Sequence, residues 1–419
     1  MRIHFNPRLR RTLGCMALLV FAGCGQHATE PTVGEYRATL QLPGGEAPFG
    51  LEISQENEGY VLHLLNGVER ARVPDVQVAD GELYAVFPGY ENSVRARISR
   101  KRLEGAVTLI KAGGKKQVIP FRAELGQTYR FYREPLTDHA DLAGRWEVML
   151  TNDEGVETQG VAEFQQEHDR VTGTVLTPTG DHRYLEGQVR GDEMQLSTFA
   201  GGLAYLYKLK LNAAGELQGD YWQGLASHEK VVAKRNENAA IEDAGPRTTM
   251  MNGAKRLDFT FKDVDGHEVS LSDERFRGKV VLVTLGGTWC PNCHDEAAFI
   301  VPFYRERRDK GFEVIALMFE RHADFDKAAS VVRRYRTSMG IEYPTLIAGT
   351  ADEQAAKALP SLSGIYGYPT AVLIDRRGEV RDIHTGFSGP ATGAAYDEFV
   401  CEFTQRVDAL LVEPAPETL

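Results

Sequence analysis

Two cysteines three positions apart have the clearest capacity for chemistry in this chain. Cys290 and Cys293 enclose a Pro-Asn pair and follow directly after a tryptophan. The pair stands after an apolar strand candidate, 280–285, and at the start of a helix candidate, 291–309. α/β proteins place functional groups where a buried strand ends and a helix begins, so position and residue type agree. This arrangement is typical of thiol–disulfide exchange.

The start of the helix candidate indicates which of the two cysteines attacks. Unpaired backbone N–H groups and the positive end of the helix dipole stabilise a thiolate at that position. They lower a thiol pKa from ~8.5 to within ~3.5–7.5. We therefore predict that Cys290 is the nucleophile. Cys293 lies one turn further along the same face, and we predict that it resolves the mixed disulfide and releases the product.

Two structural roles compete with the redox interpretation. A zinc knuckle needs four ligands, but the chain has no second Cys-x-x-Cys, and His294 is expected to point away on the helix. A purely structural disulfide would close a very short loop and would stabilise the fold little. The redox interpretation is favoured over both, and we expect neither a metal site nor a cofactor.

The elements around the pair predict an α/β domain. Apolar strand candidates at 280–285, 312–318 and 370–375 alternate with helix candidates at 291–309, 324–339, 352–359 and 392–411. Continuous apolar strands between helices indicate a sheet covered on both faces. Residues 380–385 are predicted to pair as a hairpin with the strand before them.

Residues 257–411 resemble the thioredoxin-like domain of the TlpA/ResA family of envelope thiol-disulfide oxidoreductases. The matching motifs lie at 261–273, 278–283, 288–293, 367–375 and 378–380. The resemblance implies a thioredoxin-like fold and an enzyme that exchanges protein disulfides, with reduction favoured over oxidation. It also implies a membrane partner that donates electrons through thiols.

The same resemblance suggests further site residues. It implies a cis peptide bond before Pro369, which would leave the backbone of Tyr368 free to pair with an extended substrate. Trp289 is the third candidate substrate contact. Glu296 matches a family position beside the resolving cysteine, where its carboxylate would accept the proton of Cys293. A solvated Glu on the helix face is the alternative.

The chain departs from the family directly before the active-site motif. Gly286 and Gly287 stand where the family usually has an aromatic pair. Because two glycines fill less space than an aromatic pair, they predict more open surroundings for the cysteines. No chemical group is lost, so the change affects the expected substrate shape rather than the expected reaction.

Cys401 is the odd thiol of the last helix candidate. At ~100° per residue it falls on the face opposite the apolar stripe, near Asp397 and Asp408. We predict a partly exposed thiol, kept protonated and inert by its acidic neighbours, rather than a third redox cysteine.

The N-terminal half has a different pattern, in which short apolar runs alternate with polar residues and turn residues. It predicts two β-rich modules, 31–133 and 138–235, built as small barrels or as two halves of one sandwich. The modules look duplicated, since 34–40 matches 144–150 and 116–122 matches 229–235. Their histidines lack ligand spacing and are predicted to be solvated; these are His139, His168, His182 and His228.

The first residues of the chain predict export. Four arginines precede a short apolar run at 13–22, which is typical of a signal peptide, 1–23, and too short for a spanning helix of ~20 residues. Phe-Ala-Gly-Cys resembles the lipobox of bacterial lipoproteins, so lipidation of Cys24 is predicted. An ordinary export signal that leaves Cys24 a free thiol is the alternative. Gly25 in place of Asp favours the outer membrane.

The complete prediction is a multidomain protein with a duplicated all-β N-terminal region and a thioredoxin-like α/β domain at 254–412. A linker, 236–253, and a disordered tail, 413–419, complete it. The protein is expected to be anchored in the cell envelope and to face the periplasm.

The charge balance of the chain argues against one class of function. The chain has 419 residues, and 48 Lys and Arg stand against 59 Asp and Glu, so binding to nucleic acid is not expected.

Two other functions compete with that of a thiol-disulfide oxidoreductase. One is a lipid-anchored binding or assembly protein that uses its thioredoxin-like domain for docking. The other is a copper-handling protein with the same fold.

Overall fold

The structure, a computed structural model, describes residues 29–57, 59–134, 137–241, 247–352 and 354–415. The predicted signal peptide 1–23, Cys24 and the last four residues of the tail lie outside this part of the chain. Within it, no helix has the length and apolar character needed to cross a membrane. Three sheets organise the described residues.

The first sheet is a closed antiparallel barrel, called here the first barrel. Its strands are β1 (Gly34–Leu42), β2 (Gly45–Glu56), β3 (Gly59–Asn66), β4 (Glu69–Ala79), β5 (Glu82–Val86), β6 (Ser93–Ser99), β7 (Arg102–Ile110) and β8 (Lys116–Leu125). Each strand pairs with the next, and β8 closes on β1. Alternate residues point inward, as in β6, where Val94, Ala96 and Ile98 are buried.

The second sheet is also barrel-like and is called the second barrel. Its strands are β9 (Gly144–Asn152), β10 (Glu157–Glu167), β11 (Arg170–Thr177), β12 (Gly180–Asp181), β13 (Leu185–Arg190), β14 (Glu193–Phe199), β15 (Ala204–Leu211), β16 (Glu216–Gln223) and β17 (Ser227–Arg235). β10 pairs with both β9 and β11, which brings the two ends of the sheet together. The N-terminal region therefore forms two barrel-like sheets rather than one sandwich.

The two barrels share apolar contacts. Phe199, at the end of β14, packs between Phe49 and Phe87 of the first barrel, with ring centroids 5.2 and 5.3 Å apart. The side-chain amide of Asn66 donates to the carbonyl of Phe199 over 3.0 Å. Because these groups are buried, the two barrels form one packed unit.

His182 corrects one prediction about the second barrel. Its ring stacks on Tyr221, with centroids 5.0 Å apart, and its Nδ1 lies 2.5 Å from the hydroxyl of Tyr207. Burial lowers its pKa to about 4, so the ring is neutral. The predicted solvated surface position is therefore wrong for His182, whereas His168 is exposed as expected.

The third sheet belongs to the C-terminal domain. Its strands are β18 (Thr260–Asp263), β19 (Glu268–Ser270), β20 (Val280–Gly286), β21 (Phe312–Glu320), β22 (Thr345–Thr350), β23 (Thr370–Ile374) and β24 (Val380–Thr385). They are ordered β19-β18-β22-β21-β20-β23-β24, with β20, β21 and β22 parallel. The helices are α1 (Pro291–Arg307), α2 (Phe325–Met339) and α3 (Ala394–Leu411). Every residue of β20 is buried, as expected for a strand covered on both faces.

Local sequence explains where the helices begin and end. Asp324 caps α2 by accepting a hydrogen bond from the N–H of Lys327 over 3.0 Å. Gly340 ends that helix with a φ of 66°, which glycine adopts readily. The predicted helix at 352–359 is wrong, because only the 3₁₀ turn Ala355–Ala358 forms among its described residues.

Candidate active site

The two cysteines form a disulfide at the start of α1. Cys290 is the N-cap residue, and its Sγ accepts the backbone N–H of Cys293 over 3.2 Å. Pro291 occupies the first helical position, where its missing N–H removes no helical hydrogen bond. A backbone N–H directed at a sulfur favours negative charge on that sulfur once the disulfide is reduced.

The loop before Cys290 is held by the end of the neighbouring strand. Glu320, the last residue of β21, accepts the backbone N–H of Thr288 over 2.9 Å and its hydroxyl over 2.8 Å. The indole N–H of Trp289 donates to the carbonyl of Phe319 over 2.9 Å. Burial raises the pKa of Glu320 to about 7, against the opposing effect of the two bonds from Thr288.

Glu320 is not among the predicted site residues, although the sequence contains a signal for it. An acidic residue directly after a buried apolar run stands at the C-terminal end of its strand. The C-terminal ends of parallel strands meet at one edge of the sheet, which is the edge that also carries the cysteine pair. The predicted strand, 312–318, ends two positions before Glu320, the last residue of β21.

Gly286 and Gly287 do not leave open space beside the disulfide. A Cβ on Gly287 would lie 2.6 Å from the carbonyl of Phe319 and would collide with the indole of Trp289. A Cβ on Gly286 would lie 3.3 Å from Cys293 Sγ. Both cysteines are only 4% exposed. The expected open surroundings are therefore wrong, because Trp289 packs against Gly287 and Cys293 against Gly286, and the two glycines border only a cavity of about 20 Å³.

The cis bond before Pro369 is confirmed. The carbonyl oxygen of Tyr368 lies 3.5 Å from Cys290 Sγ. The rings of Trp289 and Tyr368 meet edge to face, with centroids 5.5 Å apart. The structure thus brings the three candidate substrate contacts of the sequence together around Cys290.

Glu296 lies inside the domain rather than on a solvated helix face. It is 7% exposed, and it lines a cavity of about 20 Å³ together with Cys293, Tyr335 and Tyr343. Such a volume holds about one water molecule. Burial raises the pKa of Glu296 to about 8, so its carboxyl group is mainly protonated at neutral pH.

His294 does not point away from the site. Its Nε2–H donates to the carbonyl of Thr288 over 2.8 Å, and its ring stacks on Tyr90 of the first barrel with centroids 4.0 Å apart. Burial lowers its pKa to about 4. No local pattern in the sequence predicts this contact, because Tyr90 lies 204 positions before His294 in the chain.

Cys401 lies apart from this site. It is exposed on α3, as predicted, and its Sγ accepts a hydrogen bond from the side chain of Gln405 over 3.2 Å. Among the residues that the structure places, no cluster of three or more His, Cys, Asp or Glu side chains is arranged to hold a metal ion.

Comparison with known proteins adds the family. Residues 251–398 match the Redoxin family. The thiol-disulfide oxidoreductase ResA of Geobacillus kaustophilus is 30% identical over 140 residues, which are 33% of this chain and 72% of that protein. The thioredoxin-like protein YneN of Bacillus subtilis is 28% identical over 137 residues, which are 33% of this chain and 73% of that protein.

A solved structure is also similar. A putative thiol:disulfide interchange protein DsbE from Chlorobium tepidum is 24% identical, with a TM-score of 0.30; the match covers 39% of this chain and 99% of that one. The Redoxin match and the ResA relative agree with the cysteine pair at the start of α1. The chain belongs to the ResA-type family of thioredoxin-like thiol-disulfide oxidoreductases, and it is an oxidoreductase.

Proposed function

We propose that this protein is a cell-envelope reductase that transfers two electrons from the Cys290–Cys293 pair to protein disulfides. One observation carries the proposal: Cys290 caps α1 with the N–H of Cys293 directed at its sulfur over 3.2 Å. A capped thiolate is the attacking form in thiol–disulfide exchange. The reductase direction follows from the family resemblance.

The reaction proceeds in two exchanges. The Cys290 thiolate attacks one sulfur of the substrate disulfide, whose S–S bond breaks as a mixed disulfide forms. The other substrate sulfur leaves as a thiolate and takes a proton from water. Cys293 then attacks Cys290 Sγ, the enzyme disulfide forms, and the second substrate sulfur leaves. A dithiol of a membrane partner reduces the enzyme disulfide and restores the pair.

Glu296 accepts the proton of Cys293 in the second exchange, and it does so from the minor fraction of molecules in which its carboxyl group is ionised at neutral pH. Both groups line the same small cavity, which has room for a bridging water. The pKa of about 8 lets the buried carboxyl keep that proton once the disulfide has formed. The proton returns to Cys293 when the membrane partner reduces the pair.

Trp289, Tyr368 and Pro369 form the substrate contact. The cis bond turns the backbone of Tyr368 toward Cys290 and leaves it available to an extended substrate segment. The edge-to-face pair of Trp289 and Tyr368 gives this segment an apolar floor beside the disulfide.

The anchor and the barrels complete the proposal. Acylation of Cys24 after removal of residues 1–23 attaches the protein to a bilayer, with the outer membrane favoured by Gly25.

The two barrels derive from one duplicated unit. This is supported by the matching segments 34–40 and 144–150, which lie in the first strand of each barrel.

Trapping of substrates tests the proposal. In a Cys293→Ala variant, the mixed disulfide on Cys290 cannot be resolved, so covalent adducts with protein substrates should accumulate. Non-reducing gels and mass spectrometry would detect them. The control is the double variant Cys290→Ser/Cys293→Ala, which leaves only the exposed Cys401 in the described region.

Two outcomes would contradict the proposal. One is an adduct yield in Cys293→Ala no higher than in the double variant. The other is wild-type disulfide reduction no faster than that by a free dithiol, which would favour the binding or assembly role instead.

A further inference from the structure

The first turn of α1 is covered by both barrels. His294 stacks on Tyr90, which belongs to the β5–β6 loop of the first barrel. Pro291 packs against Gly202 in the β14–β15 loop of the second barrel, where a Cβ on the glycine would lie 2.9 Å from Pro291 Cγ. Pro291 and His294 therefore face protein rather than solvent.

The other loops around the disulfide are covered too. Asp181 Oδ2 accepts the backbone N–H of Gly389, which follows β24, over 2.6 Å. Thr179 contacts Gly367, two positions before the cis proline. Residues 179–181 of the second barrel thus lie against α1, the cis-proline loop and the loop after β24.

A buried ion triad joins the three units. The Arg183 guanidinium pairs with Glu69 at the start of β4 and with Asp295 in α1. The side chains of the triad are only 15%, 8% and 17% exposed for Arg183, Glu69 and Asp295. Arg183 also has a φ of 56°, which few residues other than glycine adopt. A buried charge left without its partner is strongly disfavoured, so the triad holds the units together while they stay packed.

Further polar contacts attach the first barrel to the C-terminal domain. His322 Nε2 lies 2.8 Å from a carboxylate oxygen of Glu91, and the Arg334 guanidinium donates to the carbonyl of Tyr90 over 3.0 Å. Polar contacts of this kind are typical of interfaces between domains that also separate.

We propose that the two barrels form a cap that closes over the Cys290–Cys293 disulfide, with Glu69, Arg183 and Asp295 as its latch. A folded protein reaches Cys290 only after the cap has moved off the thioredoxin-like domain. A small disulfide or alkylating reagent needs a much smaller opening. The cap therefore selects substrates by size, and this inference deepens the proposed reductase function on which it rests.

The size selection can be measured without any substrate protein. The reduced full-length protein, with Cys15, Cys24, Cys293 and Cys401 replaced by alanine, is alkylated on Cys290 with N-ethylmaleimide and with a maleimide that carries a long polyethylene glycol chain. The rate of alkylation by the bulky reagent, divided by the rate of alkylation by N-ethylmaleimide, reports the fraction of molecules in which the cap is open. The same variant after denaturation gives the ratio without a cap.

Gly202→Ala added to this protein opens the cap without touching a cysteine or the latch. The new methyl group would lie 2.9 Å from Pro291 Cγ, so it pushes the second barrel away from α1. It would also lie 2.8 Å from the hydroxyl of Tyr90, which belongs to the cap itself. We expect the rate ratio to rise on the order of tenfold, the effect of about 1.4 kcal/mol. Gly59→Ala is the matched control, since its nearest neighbour is a carbonyl 4.0 Å away.

Arg183→Met tests the latch itself, with Arg95→Met at an exposed ion pair as its control. We expect the ratio to rise in Arg183→Met and to stay at the starting value in the control. If Arg183→Met does not fold, the Gly202→Ala result decides. A starting ratio equal to that of the denatured protein, or a ratio unchanged by Gly202→Ala, would overturn the cap.

This outcome is separable from a failure of the proposed function. The alkylation ratio depends on access to Cys290 alone, whereas substrate trapping depends on disulfide exchange.

Discussion

Replacement of Cys290 by serine is expected to abolish disulfide reduction. A serine hydroxyl neither ionises near neutral pH nor forms a disulfide, so the first exchange has no nucleophile. The rate of reduction of a protein disulfide should fall on the order of 10³-fold or more. The assay is the reduction of an oxidised protein by catalytic amounts of enzyme with a chemical reductant that recycles it.

The geometry supplies the control for this experiment. Cys401 is exposed on α3 and packs against Gln405 rather than against the disulfide. Cys401→Ser should therefore keep the wild-type rate. A Cys290→Ser protein that is folded by circular dichroism and still works at the wild-type rate would remove Cys290 from the mechanism.

Replacement of Glu296 by glutamine is expected to change the pH dependence of stability. The pKa of Glu296 is about 8 in the folded protein and near 4.5 when exposed. Between these values the folded state keeps a proton that the unfolded state releases, so the free energy of unfolding falls as the pH rises. Above pH 8 both states are ionised, and the loss is complete.

The best window for this measurement lies between pH 6.5 and 8. Below pH 6.5, His182 and His294 act in the opposite direction, because their pKa values in the folded protein are lowered to about 4. The unfolded state then binds protons that the folded state does not, so these two residues make the free energy of unfolding rise with pH. One proton over this window corresponds to about 2 kcal/mol. The free energy of unfolding of the oxidised wild type, measured with urea, should fall between pH 6.5 and 8. In Glu296→Gln this fall should be smaller by about 2 kcal/mol.

The matched control is Glu306→Gln, on the same helix but with a side chain that is 71% exposed. It should leave the pH dependence unchanged. In the reduced enzyme, Glu296→Gln should also slow the resolution of mixed disulfides, because glutamine cannot accept the proton of Cys293. An unchanged stability profile would show that the carboxyl is not held in its protonated form.

Short-range patterns in the sequence predicted the centre of the site. The cysteine pair, the strand before it and the helix after it are contiguous, so their spacing alone places Cys290 at a helix start. The cis bond before Pro369 followed from resemblance, since nothing in its neighbours' composition requires it. Predicted strands 280–285 and 380–385 agree closely with β20 and β24.

The surroundings of the site were not predictable in the same way. Tyr90, Arg183 and Gly202 reach α1 from segments far away in the chain, and their local pattern is that of ordinary turns. His182 looked like a surface residue because the tyrosines that enclose it come from other strands. Contacts between remote segments depend on how the barrels pack, and no local period or spacing records that packing.

Two effects compete at the attacking sulfur. Cys290 is 4% exposed, and loss of solvent raises the pKa of a thiol. The N–H of Cys293 and the start of α1 lower it. The proposed mechanism requires that the second effect prevail.

The rate of alkylation of Cys290 as a function of pH tests this requirement most directly. A small reagent and the reduced protein, with Cys15, Cys24, Cys293 and Cys401 replaced by alanine, report the thiolate fraction at one sulfur. The account predicts a half-maximal rate at a pH within ~3.5–7.5, the range of thiols activated at helix starts. A rate that reaches half its maximum only near pH ~8.5 or above, as for an ordinary cysteine, would contradict it.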